Sequence, residues 1–190
     1  MNALQDACPD VTIDGYEVRI PVGHGFDNRL DDLLQFGGID LFAELPWDDE
    51  MNDRLAALAE REIYAKARTG GEAIPTADQL AGLLVACHSL DLPFKLTAGL
   101  HHAWSSKSSF GFLNVLGSLA FQAHAELAPS EVAALLGDGR ADDWRFGEEA
   151  IRHGSLEADL RDIADARALM ISFGSCSVVE PLEDLARLRH

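Results

Sequence analysis

The chain has 190 residues, 25% of them charged and 47% hydrophobic, and 32 carboxylates against 15 lysines and arginines give a net charge of −17. That length suits one domain with a substantial core. The charge argues against nucleic acid or an anionic membrane as partner, because both demand a basic surface. The three cysteines, Cys8, Cys87 and Cys176, are widely separated and form no C-x-x-C pair, so neither a disulfide framework nor a zinc ribbon is supported. No basic-then-apolar leader follows Met1 and no apolar run nears 18 residues, which makes a cytoplasmic location the expectation.

Met1 to Pro9 reads as the tail of a helix, and residues 11–21 (V-T-I-D-G-Y-E-V-R-I-P) as a first strand. A short helical pattern covers residues 28–36 and stops at Gly37-Gly38. Residues 39–47 give a second strand ended by Pro46, and residues 49–60 a helix with Met51, Leu55 and Leu58 on one side. The third strand, 63–69 (I-Y-A-K-A-R-T), is closed by Gly70-Gly71, and Thr76 caps a helix running to about Ser89. A fourth strand, Phe94 to Ala98 in the stretch that begins at Leu92, opens at Gly99 into the His101-His102 loop.

Residues 110–127 are apolar on every side, as in a buried helix. A second helix follows over 130–136, then a loop over 137–146, then a helix over about 156–166. The fifth strand is read as 168–173, and Pro181 starts a last short helix. Strands alternating with helices predict an α/β domain with parallel strands and helical crossovers, with about five βα units across 1–190. Five strands are too few for a closed eight-stranded barrel. The chain is therefore either an open doubly wound sheet or the carboxy-terminal part of a TIM-like barrel whose first strands are absent or supplied otherwise; the helical character of 1–9 favours the second.

Aligning the strands as Y-E-V-R-I-P, A-E-L-P-W, A-K-A-R-T-G-G, F-K-L-T-A-G and I-S-F-G-S puts Glu17, Glu44, Lys66, Lys95 and Ser172 on one inward row. Arg19, Pro46, Arg68, Thr97 and Gly174 form the next row toward the strand ends, where sites in parallel sheets form. Lysine is scarce, with three against twelve arginines, and two of the three are in strands. An adjacent lysine pair would lower the pKa of at least one member, making it a general base or a Schiff-base amine; a self-satisfied Glu/Lys layer is the structural alternative.

Four further groups complete the candidate set. Arg68 and Thr69 in R-T-G-G, with turn amides beside them, suit an anion. His101 and His102 suit proton transfer better than metal ligation, since no third ligand (Glu44, His24 or His124) has ligand spacing. Asn114 is a polar residue in an apolar helix and needs partners if buried. Ser175, Cys176 and Ser177 follow the last strand near a helix start, as an oxyanion platform would; the turn is not G-x-S-x-G.

Taken in order, A-K-A-R-T-G-G, P-F-K-L-T-A-G-L-H-H, G-F-L-N and F-G-S-C-S-V-V-E-P resemble a family of uncharacterised bacterial (β/α)-barrel proteins over nearly the whole chain, from Tyr16 to Leu188. Members of that family begin with extra strands that have no counterpart here. The resemblance implies the fold and no activity. K-A-R-T-G-G is also similar to the lysine strand of deoxyribose-phosphate-type aldolases, and carboxylates and lysines on successive strands resemble the enolase superfamily, without its metal-binding triad.

The combined expectation is a lyase or isomerase acting on a small carbonyl or phosphorylated metabolite. Lys66, Lys95, Glu44, His101 and His102 would do the chemistry; Arg68, Thr69, Thr97, Asn114, Ser175, Cys176 and Ser177 would hold the substrate. No metal and no cofactor is implied. The alternative is a non-catalytic binding or assembly module, because an exposed sheet edge is normally covered, here by a second copy or a completing chain.

Overall fold

The computed structural model describes residues 14–21, 23–36, 39–72 and 74–187. The expectations for residues 1–13 and for the Gly37-Gly38 stop lie outside these. Five strands, β1 (Gly15–Arg19), β2 (Asp40–Glu44), β3 (Tyr64–Arg68), β4 (Phe94–Thr97) and β8 (Met170–Phe173), form one sheet in the order β1-β2-β3-β4-β8. Every pairing is parallel. The protein is thus an α/β chain with helical crossovers. The strand order follows the sequence without the reversal that defines a doubly wound sheet, as in the wall of a barrel.

That winding leaves the two faces of the sheet unlike each other. Leu41, Ala43, Ala65, Ala67, Phe94 and Leu96 on one face are buried against the helices. Glu17, Phe42, Glu44, Lys66 and Lys95, at alternate positions, share the other. The helices between strands are α1 (Phe26–Leu33), α2 (Met51–Ala59) and α3 (Ala77–Ser89). Thr76 caps α3 as expected: its hydroxyl accepts from Gln79 N, and the Gln79 side chain accepts from Thr76 N.

The long connection from β4 to β8 carries α4 (Phe112–Ala125), α5 (Pro129–Gly137), a three-stranded antiparallel meander and α6 (Leu160–Leu169). The meander, β5 (Trp144–Phe146), β6 (Ala150–His153) and β7 (Leu156–Asp159), corrects two expectations. Residues 137–146 are not all loop, and the helix expected from 156 begins at Leu160. Strands of three or four residues are too short to display period-two alternation. Asp159, whose side chain accepts from Arg161 N and Asp162 N, is the true helix start. The helix then continues to Leu169, so the fifth parallel strand begins at Met170 and not at Ala168. Trp144 (3% exposed) fastens the meander to α4, where a Cβ on Gly117 would come within 2.4 Å of its ring. The final helix, α7 (Val179–Arg187), begins two residues before Pro181.

Candidate active site

Register decides which ionisable groups meet. Arg19 pairs with Glu44, Glu44 with Lys66, Lys66 with Lys95 and Lys95 with Ser172. The expected row therefore holds in four of its strands, but β1 is displaced by two residues. Glu17 pairs with Phe42, one level lower, and Arg19 takes its place. A shift of two keeps the same face, so Glu17 still reaches the row from below. Its carboxylate bonds both lysines, at 2.7 Å to Lys66 Nζ and in a short contact to Lys95 Nζ. Glu44 holds Lys66 from the other side at 2.8 Å. Lys95 Nζ also lies 5.2 Å from the Phe42 ring centroid, within cation–π reach.

This network reverses the expected effect of a lysine pair. Burial alone would lower the Lys66 pKa, but hydrogen bonds to Glu17 and Glu44 outweigh it and raise the group above its ordinary value. The Glu17 carboxyl is lowered, first by its bond to Lys66 and then by that to Lys95. Lys66 is therefore an ammonium ion at neutral pH. A Schiff-base role for it would require neutralising a cation held by two carboxylates.

Beyond the row, at the carboxyl ends of β1, β2 and β3, lies a cleft of about 1080 Å³. Arg19, Glu44, Trp47, Arg68, Glu72 and Gln79 contribute to its lining. Trp47 is tethered across it by an Nε1–H bond of 2.6 Å to Arg68 O. Among the described residues Arg19 and Arg68 have no ion-pair partner, as is also true of Arg29, Arg145, Arg161 and Arg167, whereas Arg54, Arg61, Arg140 and Arg152 each have at least one carboxylate. Arg19 and Arg68 are the two that line the cleft. Gly71, at φ +72°, lets the chain turn close to the Arg68 guanidinium, where a Cβ would lie 3.7 Å from it.

Other expected site residues have different work. Thr69 is 1% exposed and bonds only the Thr97 carbonyl, through its amide at 2.8 Å and its hydroxyl at 3.4 Å, so it is a structural tie between strand ends. Gly70 and Gly99 make that tie possible: a Cβ would come within 1.8 Å of Ala98 O in the first and 2.3 Å of Thr69 O in the second. Ala98 sits at φ 66°, an uncommon conformation for a residue with a Cβ. Thr97 lies beside Arg68 in register, with its hydroxyl oxygen buried and without a hydrogen-bond partner among the described residues.

Asn114 corrects the expectation of a substrate contact. It is fully buried, accepts from Ser105 N at 2.9 Å and donates to Leu135 O at 3.0 Å and Asp138 O at 2.7 Å. It clamps the loop after β4 to the end of α5. His102 is tied to Asp184 on α7 at 3.1 Å, and Asp184 also accepts from Ala103 N. That histidine anchors the last helix. His101 Nδ1 lies 3.2 Å from Ser175 Oγ and 3.3 Å from Cys176 N, so the β4 and β8 loops do meet there. Within that turn, Ser175 donates to Ser177 O at 2.7 Å and accepts from Ser177 N, and the Ser177 hydroxyl accepts from Val179 N and Glu180 N at the start of α7. Those bonds occupy much of what an oxyanion platform would offer.

The sequence reading put Arg19 in the strand-end row without naming it a site residue, and it missed Trp47 as a cleft residue and a cluster at the end of α5. Asp138, Asp143 and His153 bring ligand-type atoms within 4.8 Å of one another. Arg140 already bridges the two carboxylates at 2.9 Å each, and His153 Nε2 lies 2.8 Å from Asp138. Burial would raise the Asp138 carboxyl, but Arg140 and His153 hold it at about 2. The pairing of D-G-R-A-D-D with a histidine ten residues beyond becomes visible only once the meander folds them together.

No family model matches the chain, and no curated protein does. Among the described residues, no helix is long and apolar enough to cross a membrane. The solved structures include one similar chain, described as the crystal structure of a D-tagatose 3-epimerase-like protein, at 10% identity and a TM-score of 0.35, covering 100% of this chain and 92% of that one.

Proposed function

We propose that the protein is an isomerase- or lyase-type enzyme that moves a proton next to the carbonyl of a small metabolite, in the cleft at the ends of β1–β3. The observation that carries this reading is Glu44, a carboxylate lining the cleft with one oxygen fixed by the Lys66 ammonium at 2.8 Å. Glu44 takes the proton from the carbon beside the carbonyl, and the electron pair moves onto the carbonyl oxygen. The Lys66 ammonium beside it supplies a preorganised N–H donor near the developing oxyanion, which is where fixed donors lower a barrier most. Passage of the hydroxyl proton of the deprotonated carbon to the enolate oxygen, and return of the abstracted proton to the former carbonyl carbon, exchange the positions of carbonyl and hydroxyl and complete an isomerisation. Lys66 and Lys95 act as cations, with Glu17 holding both in place.

Exchange of substrate carbon-bound hydrogen with deuterated water, followed by proton NMR over a panel of small ketones and aldehydes, tests the assignment. Exchange should occur with at least one compound and fall by about 10²–10⁴-fold in Glu44→Gln, the range for removal of a general base. Unchanged exchange in that variant, or none with any compound that binds, would overturn it.

A second reading, a non-catalytic module that associates with another copy of itself, draws on the apolar side of α7 and the β8 edge. Val178, Val179 and Leu182 are 77%, 61% and 60% exposed, beside Ile171 at 43%. Light scattering separates the two readings: a monomer at all concentrations removes the second.

A further inference from the structure

Taking the cleft as the substrate site, as proposed above, we infer that the substrate is a dianion carrying an anionic group at each end. The inference rests on Arg19 and Arg68. Both line the cleft, both belong to the ionisable face of the sheet, and neither has an ion-pair partner among the described residues. In a chain of net charge −17, these two guanidinium groups share one concavity and neither is paired with a carboxylate among the described residues.

The row behind them is already balanced: Glu17 and Glu44 offset Lys66 and Lys95. The arginines therefore give the cleft an excess positive charge. Among the described lining residues only Glu72 opposes it, an exposed side chain that pairs with neither arginine.

The spacing argues for two anionic groups and against one. Arg19 rises from β1 level with Glu44, and Arg68 rises from β3 two residues nearer the strand ends, with β2 between the two strands. Strands two apart are separated by about 9.5 Å at the backbone. A single carboxylate or phosphate gripped by both guanidiniums would sit between β1 and β3, on the β2 side that carries the Glu44 carboxylate and against its charge. A four- to six-atom chain with an anionic group at each end instead puts its uncharged middle, the part to be deprotonated, over Glu44. Guanidinium groups suit carboxylate and phosphate ends alike, by paired N–H donors. Trp47, braced by its bond to Arg68 O, walls the space between the ends.

Isothermal titration at low salt tests this with full-length protein, using succinate, glutarate, 2-oxoglutarate and phosphoglycolate against butyrate as the singly charged control. The dianions should bind at least tenfold more tightly than butyrate. Arg19→Met and Arg68→Met should each weaken the dianions about tenfold or more, while butyrate is weakened by no more than one of them. Comparing the carboxylate with the phosphate probe identifies the end group. Thermal melting of both variants, with Arg68→Lys as a charge-retaining partner, separates lost contacts from lost folding; both arginines are exposed, so unchanged melting is expected. Equal binding of dianions and butyrate, or dianion binding indifferent to both substitutions, would overturn the inference. Binding as expected with no hydrogen exchange would instead remove the proton-transfer reading and leave the dianion site standing.

Discussion

The two faces of the five-stranded sheet are made by the same strands yet obey opposite rules. On the helix side, Ala43, Ala65, Ala67 and Leu96 are at most 1% exposed and contribute packing. One residue away along each strand, Glu17, Glu44, Lys66 and Lys95 form a continuous ion-paired layer. Parallel strands are ordinarily apolar on both faces, because helices cover both. Here one face packs apolar side chains against helices, and the other carries an ion-paired layer. The difference separates what folds the chain from what it can do: substitution on the first face tests the core, and substitution on the second tests the site.

A buried polar group on the packing side should cost most. Asn114→Ala strands Ser105 N, Leu135 O and Asp138 O, and should lower unfolding free energy by about 3–4 kcal/mol in urea titration, while leaving anion binding in the cleft unchanged among folded molecules. A loss below about 1 kcal/mol would refute the clamp. Lys66→Met comes next: Glu17 and Glu44 would then face each other with one ammonium fewer, for about 2 kcal/mol after discounting for solvent access. Lys95→Met should cost less, about 1 kcal/mol, because Lys95 bonds one carboxylate and Lys66 two. Reversal of that order would break the account of the layer.

The smallest effect is that of acid. Glu17 has a folded pKa below its ordinary value of 4.5, so its pairing contributes stability above that pH and loses it as pH falls through the lower folded value. Asp138, lowered from 3.8 to about 2, behaves the same way, with its contribution disappearing between those limits. Melting temperature should therefore decline from about pH 4.5 downward, and Glu17→Gln should shallow the upper part of that decline. An unaltered slope in the variant would contradict the Glu17 pairing.

Much of this was legible before any coordinates. Pro, Gly and Thr76 punctuated the parallel strands, and period-two alternation put Lys66 and Lys95 on one face. The register of β1 was not legible: a two-residue slip leaves the facing pattern intact, so hydrophobicity could not distinguish Glu17 from Arg19 as the partner of Glu44. The meander was invisible because its strands are three or four residues long. Asn114 was recognised as a residue needing partners, but its partners are carbonyls and an amide brought in from 105, 135 and 138 by tertiary packing. The sign of the Lys66 pKa change depended on the same thing. Adjacent lysines predict repulsion, and only the positions of two carboxylate groups turn that into a cation held firmly protonated.

That last point is the central claim, and the chain offers a direct view of it, since it contains three lysines in all. A pH titration of protein labelled with ¹³C at lysine Cε gives three resonances, assigned by Lys66→Met and Lys95→Met. The ion-paired layer predicts that the Lys66 signal stays at its protonated position through neutral pH and titrates only above the ordinary value of 10.5. A Lys66 signal titrating near pH 7 or 8 would mean a neutral, nucleophilic amine, and would contradict the account.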